Sequence, residues 1–281
     1  MSSLRRLLSA AVLLLLAAAP VAQAAELRIA ILQSQAGDAR KYQPLLDYMA
    51  KRGVPAKFVT VPNYLAVTGM FADGSVDAMF GGSGVGCAMM IKGVVVPFAR
   101  SVGASGGRTY AAVVVAPKGS PKFDRTAAWF AGKRVAFSPL ASAGEFYFRS
   151  LGPSKAAEVL RAASHGAALD TLARGRADAA IVKNHVWTKE RAKYPTLEQV
   201  GADDAQNPDG GLIVSTRIDK SAAEKLAKVL LGLGADGARD AAAAKAALGI
   251  DGFAAATDKD YAQTMATVKR AGVTKDFTFT F

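Results

Sequence analysis

Short β-rich runs alternate with helical stretches along most of the chain beyond residue 24, and no other feature limits the fold so strongly. Glu26–Leu32 is β-rich. Tyr42–Arg52 then sets Leu45, Leu46, Tyr48 and Met49 at helical spacing, until Gly53 and Pro55 stop it. Ala56–Val61 reads as a strand, Tyr64–Ala72 as a helix, Asp77–Phe80 as a short buried strand and Cys87–Lys92 as a helix. Val94–Arg100 and Tyr110–Ala116 read as two more strands. The order β-α-β-α-β-α-β calls for a mainly parallel sheet with helices on its faces, because parallel neighbours need a long crossover between them.

A second series begins near residue 117. Arg134–Phe137 reads as a strand, Gly144–Ser150 and Ala167–Arg174 as helices, Asp178–Val182 as a strand and Val186–Tyr194 as a helix, with Gly211–Ser215 as the last strand. Beyond it, Ala222–Leu233, Ala238–Leu248 and Asp258–Ala271 are Ala- and Lys-rich helical stretches. Gly234, Gly237 and Gly249 interrupt them, which argues for separate helices rather than a coiled coil. The tail Phe277–Phe281 alternates Phe with Thr and is expected as an edge strand or packed on the first lobe. Each series holds one Gly-x-x-Asp-Ala followed by apolar residues, at Gly74–Ala78 and at Gly175–Ala179. Two lobes of similar build would produce that doublet.

Residues 1–24 read as an address rather than as part of the fold. Arg5 and Arg6 precede an apolar run from Leu7 to Ala19, Pro20 ends it, and Ala22-Gln23-Ala24 is a small-x-small site, so cleavage is expected after Ala24. The run is shorter than the roughly 20 residues that span a bilayer, and no later segment reaches that length, so the mature protein is expected to be exported, periplasmic and not membrane-embedded. With 281 residues, 51% hydrophobic and 21% charged, the chain can bury a real core. One cysteine excludes an internal disulfide and a Cys-rich metal site, and two histidines leave little for a His-based one, so neither a metal nor another cofactor is expected. The net charge is +12, but the basic residues are scattered and no basic-aromatic cluster appears, which speaks against nucleic acid.

Several stretches, in order, resemble the phosphate/phosphite/phosphonate-type periplasmic solute-binding proteins of ABC importers. They are YQPLLDYM at Tyr42–Met49, VPNY at Val61–Tyr64, DGSVDAMFG at Asp73–Gly81, TYAAVVVAPKGSP at Thr109–Pro121, AGKRVAFSPLASAGEF at Ala131–Phe146 and SHGAALDTLARGRADAAIV at Ser164–Val182. The resemblance implies an α/β, two-lobed Venus-flytrap of the type II class with two crossover strand segments, near Tyr110–Ala116 and Gly211–Thr216. Lobe one would comprise residues 25–112 and 216–281, and lobe two residues 113–215. The solute would sit in the cleft, and hinge motion would close the lobes.

The same resemblance marks ligand-binding candidates. Family members grip a tetrahedral anion with hydroxyls and main-chain N–H groups at a helix N-terminus, where free donors and the helix dipole favour negative charge. The matching segment is Ala141-Ser142-Ala143-Gly144, which keeps the Ser142 hydroxyl and the backbone donors of Ala143 and Gly144 but lacks the family's other hydroxyls. Tyr64 matches a cleft tyrosine, and Ser164-His165 matches a Ser-His pair whose imidazole can donate to an oxyanion. The plainer readings are a helix start, a core aromatic and a structural histidine. Asn184 lies just past a strand whose carboxyl end should face a crevice; alternatively its amide caps a loop. Gly81–Cys87 is rich in glycine, so Ser83 and Gly84 belong either to a loop whose N–H groups form an anion nest or to a plain turn. Cys87 is either a thiolate activated at a helix N-terminus or a small buried hydrophobe.

Three function classes follow. The first is a monomeric transport protein that delivers a small anionic solute, phosphate, phosphite or phosphonate, to an ABC permease. The second is a periplasmic sensor that binds a thiophilic oxyanion such as arsenite through Cys87 and presents itself to a histidine-kinase ectodomain. The third is an enzyme, for which Cys87 with His165 would have to act as a dyad; no motif supports it, so no catalytic residue is expected.

Overall fold

The computed structural model describes residues 25–103, 106–138 and 142–281; the expected leader and Ala141 lie outside them. The chain begins with β1 (Leu27–Leu32), α1 (Gln43–Lys51), β2 (Ala56–Val61), α2 (Tyr64–Asp73), β3 (Ala78–Gly81), α3 (Ser83–Ile91) and β4 (Val95–Gly103). Three short pieces follow, β5 (Gly106–Gly107), β6 (Thr109–Tyr110) and then β7 (Ala112–Pro117). The second series is β8 (Arg134–Phe137), α4 (Ala143–Ser150), β9 (Glu158–Arg161), α5 (His165–Ala173), β10 (Ala179–Lys183), α6 (Asn184–Glu190) and β11 (Leu197–Ala202). The chain returns through β12 (Asn207–Pro208) and β13 (Gly211–Ser215) and ends with α7 (Lys220–Gly232), α8 (Arg239–Leu248), β14 (Gly252–Ala255) and α9 (Ala262–Arg270).

These elements form two lobes, each with its own sheet. The first sheet runs β14-β4-β13-β3-β1-β2, with β5 beside β4, and the second runs β11-β7-β10-β8-β9. In the first, β1 is parallel to β2 and β3; in the second, β8 is parallel to β9 and β10. One antiparallel strand closes each trio, β13 on β3 and β7 on β10. β6 pairs with β12 in a separate antiparallel ribbon. This ribbon, at Thr109–Tyr110 and Asn207–Pro208, joins the lobes, so the crossings lie at the leading edge of the first expected segment and just ahead of the second. β7 and β13 themselves each belong to a sheet, since their largely apolar runs, residues 112–116 and 211–214, are buried on both faces.

The Gly-x-x-Asp-Ala doublet has a common structural purpose. Asp77 Oδ2 accepts from the main-chain N–H and Nε of Arg28, Asp77 Oδ1 accepts from Nη2, and Nη2 also donates to the Gly74 carbonyl. Asp178 and Gly175 receive Arg134 in the same four contacts. In both lobes, therefore, one fork-shaped guanidinium ties the first strand of the trio to the turn that leads into the third. Gly74 and Gly175 both have positive φ, 80° and 68°, which explains the glycine at each turn.

Three strands of four or more residues escape the sequence pattern. β9, β11 and β14 are short, and Gly211–Ser215 is not the last strand, because Gly252–Ala255 pairs antiparallel with β4. Their Gly, Ala and charged residues carry little β preference, and pairing at a sheet edge supplies the order instead. The tail is not an edge strand. Phe277 and Phe279 are buried in the core formed by α2, α3 and α9, and Phe277 and Phe281 reach Phe146 of α4 at centroid distances of 6.3 and 5.8 Å. Among the described residues no helix is long and apolar enough to cross a membrane.

Candidate functional site

A cavity of about 420 Å³ opens where the carboxyl ends of β1 and β3 and the start of α2 meet the inter-lobe ribbon. Strand carboxyl ends in open α/β sheets face such crevices, because the loops beyond them diverge. One wall is aromatic. The rings of Tyr42 and Phe80 stack at 4.8 Å, Phe58 meets Tyr42 edge-on at 5.8 Å, and Phe253 tilts against Phe80 at 6.4 Å. The polar wall carries Lys41, Arg108, Lys183, Asp209 and Ser101, with the backbone of Gly81 and Gly82.

The polar groups hold one another in place. Ser101 Oγ donates to the carbonyls of Asp209 and Gly210, and the Asp209 N–H donates to the Arg108 carbonyl. Lys183, the last residue of β10 in the second lobe, donates to Asp209 Oδ1 at 2.6 Å, and its Nζ lies 4.3 Å from the centre of the Tyr110 ring. His185 Nδ1 is 3.6 Å from the other Asp209 oxygen. Burial opposes ionisation of Asp209, but the charge and hydrogen bond of Lys183, with His185 and Arg108, outweigh it and hold the carboxyl below its usual range. The Arg108 guanidinium donates to the Gly249 carbonyl and lines the cavity. Among the described residues, the wall thus presents three basic side chains against one carboxylate.

Of the candidates drawn from sequence, Tyr64 alone lines this cavity. It begins α2, whose N-cap Asn63 accepts from the Ala66 N–H, and burial pushes its hydroxyl up to about 12. His165 begins α5 in the corresponding place, behind the N-cap Ser164, which accepts from Ala167. Burial, then the charges of Lys183 and His185, lower His165 to about 4 against the opposing pull of Asp209, so the ring is neutral at pH 7. Its Nδ1 is buried without a hydrogen-bond partner among the described residues. His165 therefore adjoins the Lys183–Asp209 pair without lining the cavity.

The other candidates are placed elsewhere. Ser83 is buried, and its hydroxyl is 3.1 Å from that of Tyr110. Gly84 is packed under Phe146; a Cβ there would lie 2.6 Å from that ring. Cys87 is fully buried in the first-lobe core, and burial pushes the thiol up to about 12, with the charge of Asp258 adding to it. The thiolate expectation is corrected: α3 opens inside the core, where desolvation exceeds any effect of the helix end. Asn184 spends its amide on the ribbon, Oδ1 accepting from Ala111 N–H while its own N–H donates to the Ala111 carbonyl. Ser142 caps α4 by accepting from Glu145, and Ala143 follows it. Gly144 packs against the Ile181 carbonyl, 2.5 Å from where a Cβ would stand. The first turn of α4 already holds the Glu145 carboxylate, paired with Arg161 at 3.0 Å, so its positive end is answered from within. None of Ser142, Ala143 and Gly144 lines the cavity.

The residues that do line it lay beside those singled out. Gly81 and Gly82 open the glycine-rich stretch, and Lys183 precedes Asn184. The strand ends singled out lie beside the cavity, while which side chains line it depends on which ones the neighbouring lobe approaches. Asp209, Arg108 and the rings carry no local motif.

A family model for the periplasmic substrate-binding protein of phosphonate ABC transporters matches residues 29–261. No curated protein matches the chain. Among solved structures, the protein XAC2383 of Xanthomonas citri, bound to chloride, is similar with a TM-score of 0.74 at 17% identity, covering 88% of this chain and 98% of that one. PhnD1 of Prochlorococcus marinus, in complex with methylphosphonate, gives 0.67 at 16% identity over 88% and 98%. A binding-protein component of a phosphonate ABC transporter from Pseudomonas aeruginosa gives 0.66 at 17% over 90% and 89%. With its two-lobed α/β fold and the match over most of its length, the chain belongs to the phosphonate-type periplasmic substrate-binding proteins of ABC transporters.

Proposed function

We propose that this protein captures a small phosphorus oxyanion, phosphate, phosphite or phosphonate, in the cavity beside the inter-lobe ribbon and delivers it, as a periplasmic monomer released from residues 1–24, to an ABC permease. The observation that carries this is the imbalance of charge in the cavity wall, where, among the described residues, Lys41, Arg108 and Lys183 face Asp209. Lys183 and Arg108 are the residues proposed to meet the anion, with the N–H groups at Gly81 and Gly82 beside them. The lobes would divide near the β6–β12 ribbon and close by bending there, bringing Lys183 of the second lobe onto a solute resting on the first. The family supports the substrate class, and so does the similarity to a methylphosphonate complex. The thiophilic reading draws no support, since Cys87 is buried away from the cavity.

The test is calorimetric titration of protein stripped by unfolding and refolding, with phosphate, phosphite, methylphosphonate, sulfate and arsenite. At least one phosphorus oxyanion should bind, Arg108→Ala should weaken it at least about tenfold as a lost charge-assisted contact, and Cys87→Ser should leave it unchanged. Binding of arsenite alone, abolished by Cys87→Ser, would overturn the proposal.

A further inference from the structure

The cavity has more apolar wall than a bare oxyanion uses. Tyr42, Phe58, Tyr64, Phe80 and Phe253 all border it, and the first four are only half-buried, so part of each ring faces open space. The aromatic residues whose task is packing look different: Tyr48 and Phe71 in the same lobe are 1% and 0% exposed. A phosphite or methylphosphonate would fill a small part of about 420 Å³. Its remaining oxygens would also face ring carbon, where a polar group loses water without gaining a partner.

The rings and the polar groups form two contiguous patches. Tyr42 joins Phe58 and Phe80, and Phe80 joins Phe253. Ser101, Arg108, Lys183 and Asp209 are linked through the hydrogen bonds of the ribbon. An aromatic wall beside a carboxylate is also the arrangement that recognises an organic cation. Here Asp209, the one carboxylate among the described lining residues, is already paired with Lys183, and two further basic groups stand in the wall, so a cation would meet net repulsion.

From this we infer that the solute is an organic oxyanion carrying a planar or aryl group, which stacks in the Tyr42–Phe58–Phe80–Phe253 corner while its charged head meets Arg108 and Lys183. The inference rests on the oxyanion reading above and narrows it to substituted phosphonates or phosphate esters. A stacked ring with its buried area accounts for at least about tenfold in affinity.

The test compares phenylphosphonate with methylphosphonate by calorimetry on the stripped mature protein, with phenyltrimethylammonium as the cationic probe. Phenylphosphonate should bind at least about tenfold tighter than methylphosphonate. That ratio should fall to about threefold or less in Phe80→Leu. Phe58→Leu serves as the second variant should Phe80→Leu lower the melting temperature sharply. Equal or weaker binding of phenylphosphonate, with methylphosphonate bound, would overturn this inference and leave the oxyanion reading standing. Binding of the ammonium probe and of neither phosphonate would overturn both.

Discussion

The two lobes share a chassis and differ in what they mount on it. Each has a parallel trio of strands, an antiparallel strand closing it, and the same four-contact Arg–Asp–Gly clamp, Arg28 with Asp77 and Gly74 in one, Arg134 with Asp178 and Gly175 in the other. Each places a helix behind a side-chain cap, Asn63 before Tyr64 and Ser164 before His165. At the strand ends the likeness stops. The first lobe sets rings around a cavity, while the second contributes a lysine, with two histidines beside it. The lobes differ in the few residues beyond the strands that meet the cavity, whereas the clamps are repeated in both.

Substitutions can break this comparison at several strengths. The largest effect is expected at the two buried helix-start glycines. Gly144→Ala in the second lobe drives a Cβ to 2.5 Å from a strand carbonyl, which cannot swing aside, and should cost about 3 kcal/mol. Gly84→Ala in the first meets the Phe146 ring, which can shift, and should cost about 1–2 kcal/mol by the same overpacking argument. Equilibrium denaturation of both variants checks the order, and equal costs would mean that the Ile181 backbone yields as readily as the ring.

Acid should then single out the second lobe. His165 has a folded pKa of about 4, below its ordinary value near 6.5, so the unfolded chain binds the proton more readily and stability rises with pH between those limits. Moving from pH 7 to pH 5 should remove about 2 kcal/mol through this residue. His165→Gln should shrink that loss, and Tyr64, whose hydroxyl does not titrate in that window, offers the first lobe as the control. An unchanged pH dependence in His165→Gln would show that the ring is hydrated in solution.

The clamps provide the finest test. Asp77 is 19% exposed and Asp178 40% exposed, so the matching contacts differ in how far water competes with them. Asp77→Ala should cost about 2 kcal/mol and Asp178→Ala about 1 kcal/mol. The difference should narrow in urea melts at high salt only to the extent that Coulomb attraction, rather than hydrogen bonding, sustains the pair. A larger cost at Asp178 would remove exposure as the explanation.

Sequence and structure divide along physical lines. Strand–helix alternation is written in local periodicity, so the first lobe's parallel trio and, in the second, β8 and β10 with their helices could be read from the sequence. The Gly-x-x-Asp-Ala doublet even foretold the paired lobes, because a turn glycine and a clamp carboxylate must sit at fixed offsets from the strand they serve. Edge strands such as Gly252–Ala255 could not be read, since their order comes from a partner far away in the chain. The same holds for function. Cys87, Ser83 and Gly84 stand in a stretch whose composition suits either an anion loop or tight packing, and the approach of Phe146, Tyr110 and the C-terminal phenylalanines decided for packing. Ser142 carries the residue type of an anion site, yet its hydroxyl caps α4 by accepting from the Glu145 N–H, and Gly144 packs against the Ile181 carbonyl. Amino-acid order alone determined the alternating α/β pattern, because that pattern rests on neighbours within a few turns of one another, while the two-lobed plan was what the family resemblance implied. The cavity wall of Tyr42, Phe80, Arg108, Lys183 and Asp209 was decided only by the tertiary structure, which gathers residues up to 167 positions apart whose charges and rings have no common local pattern.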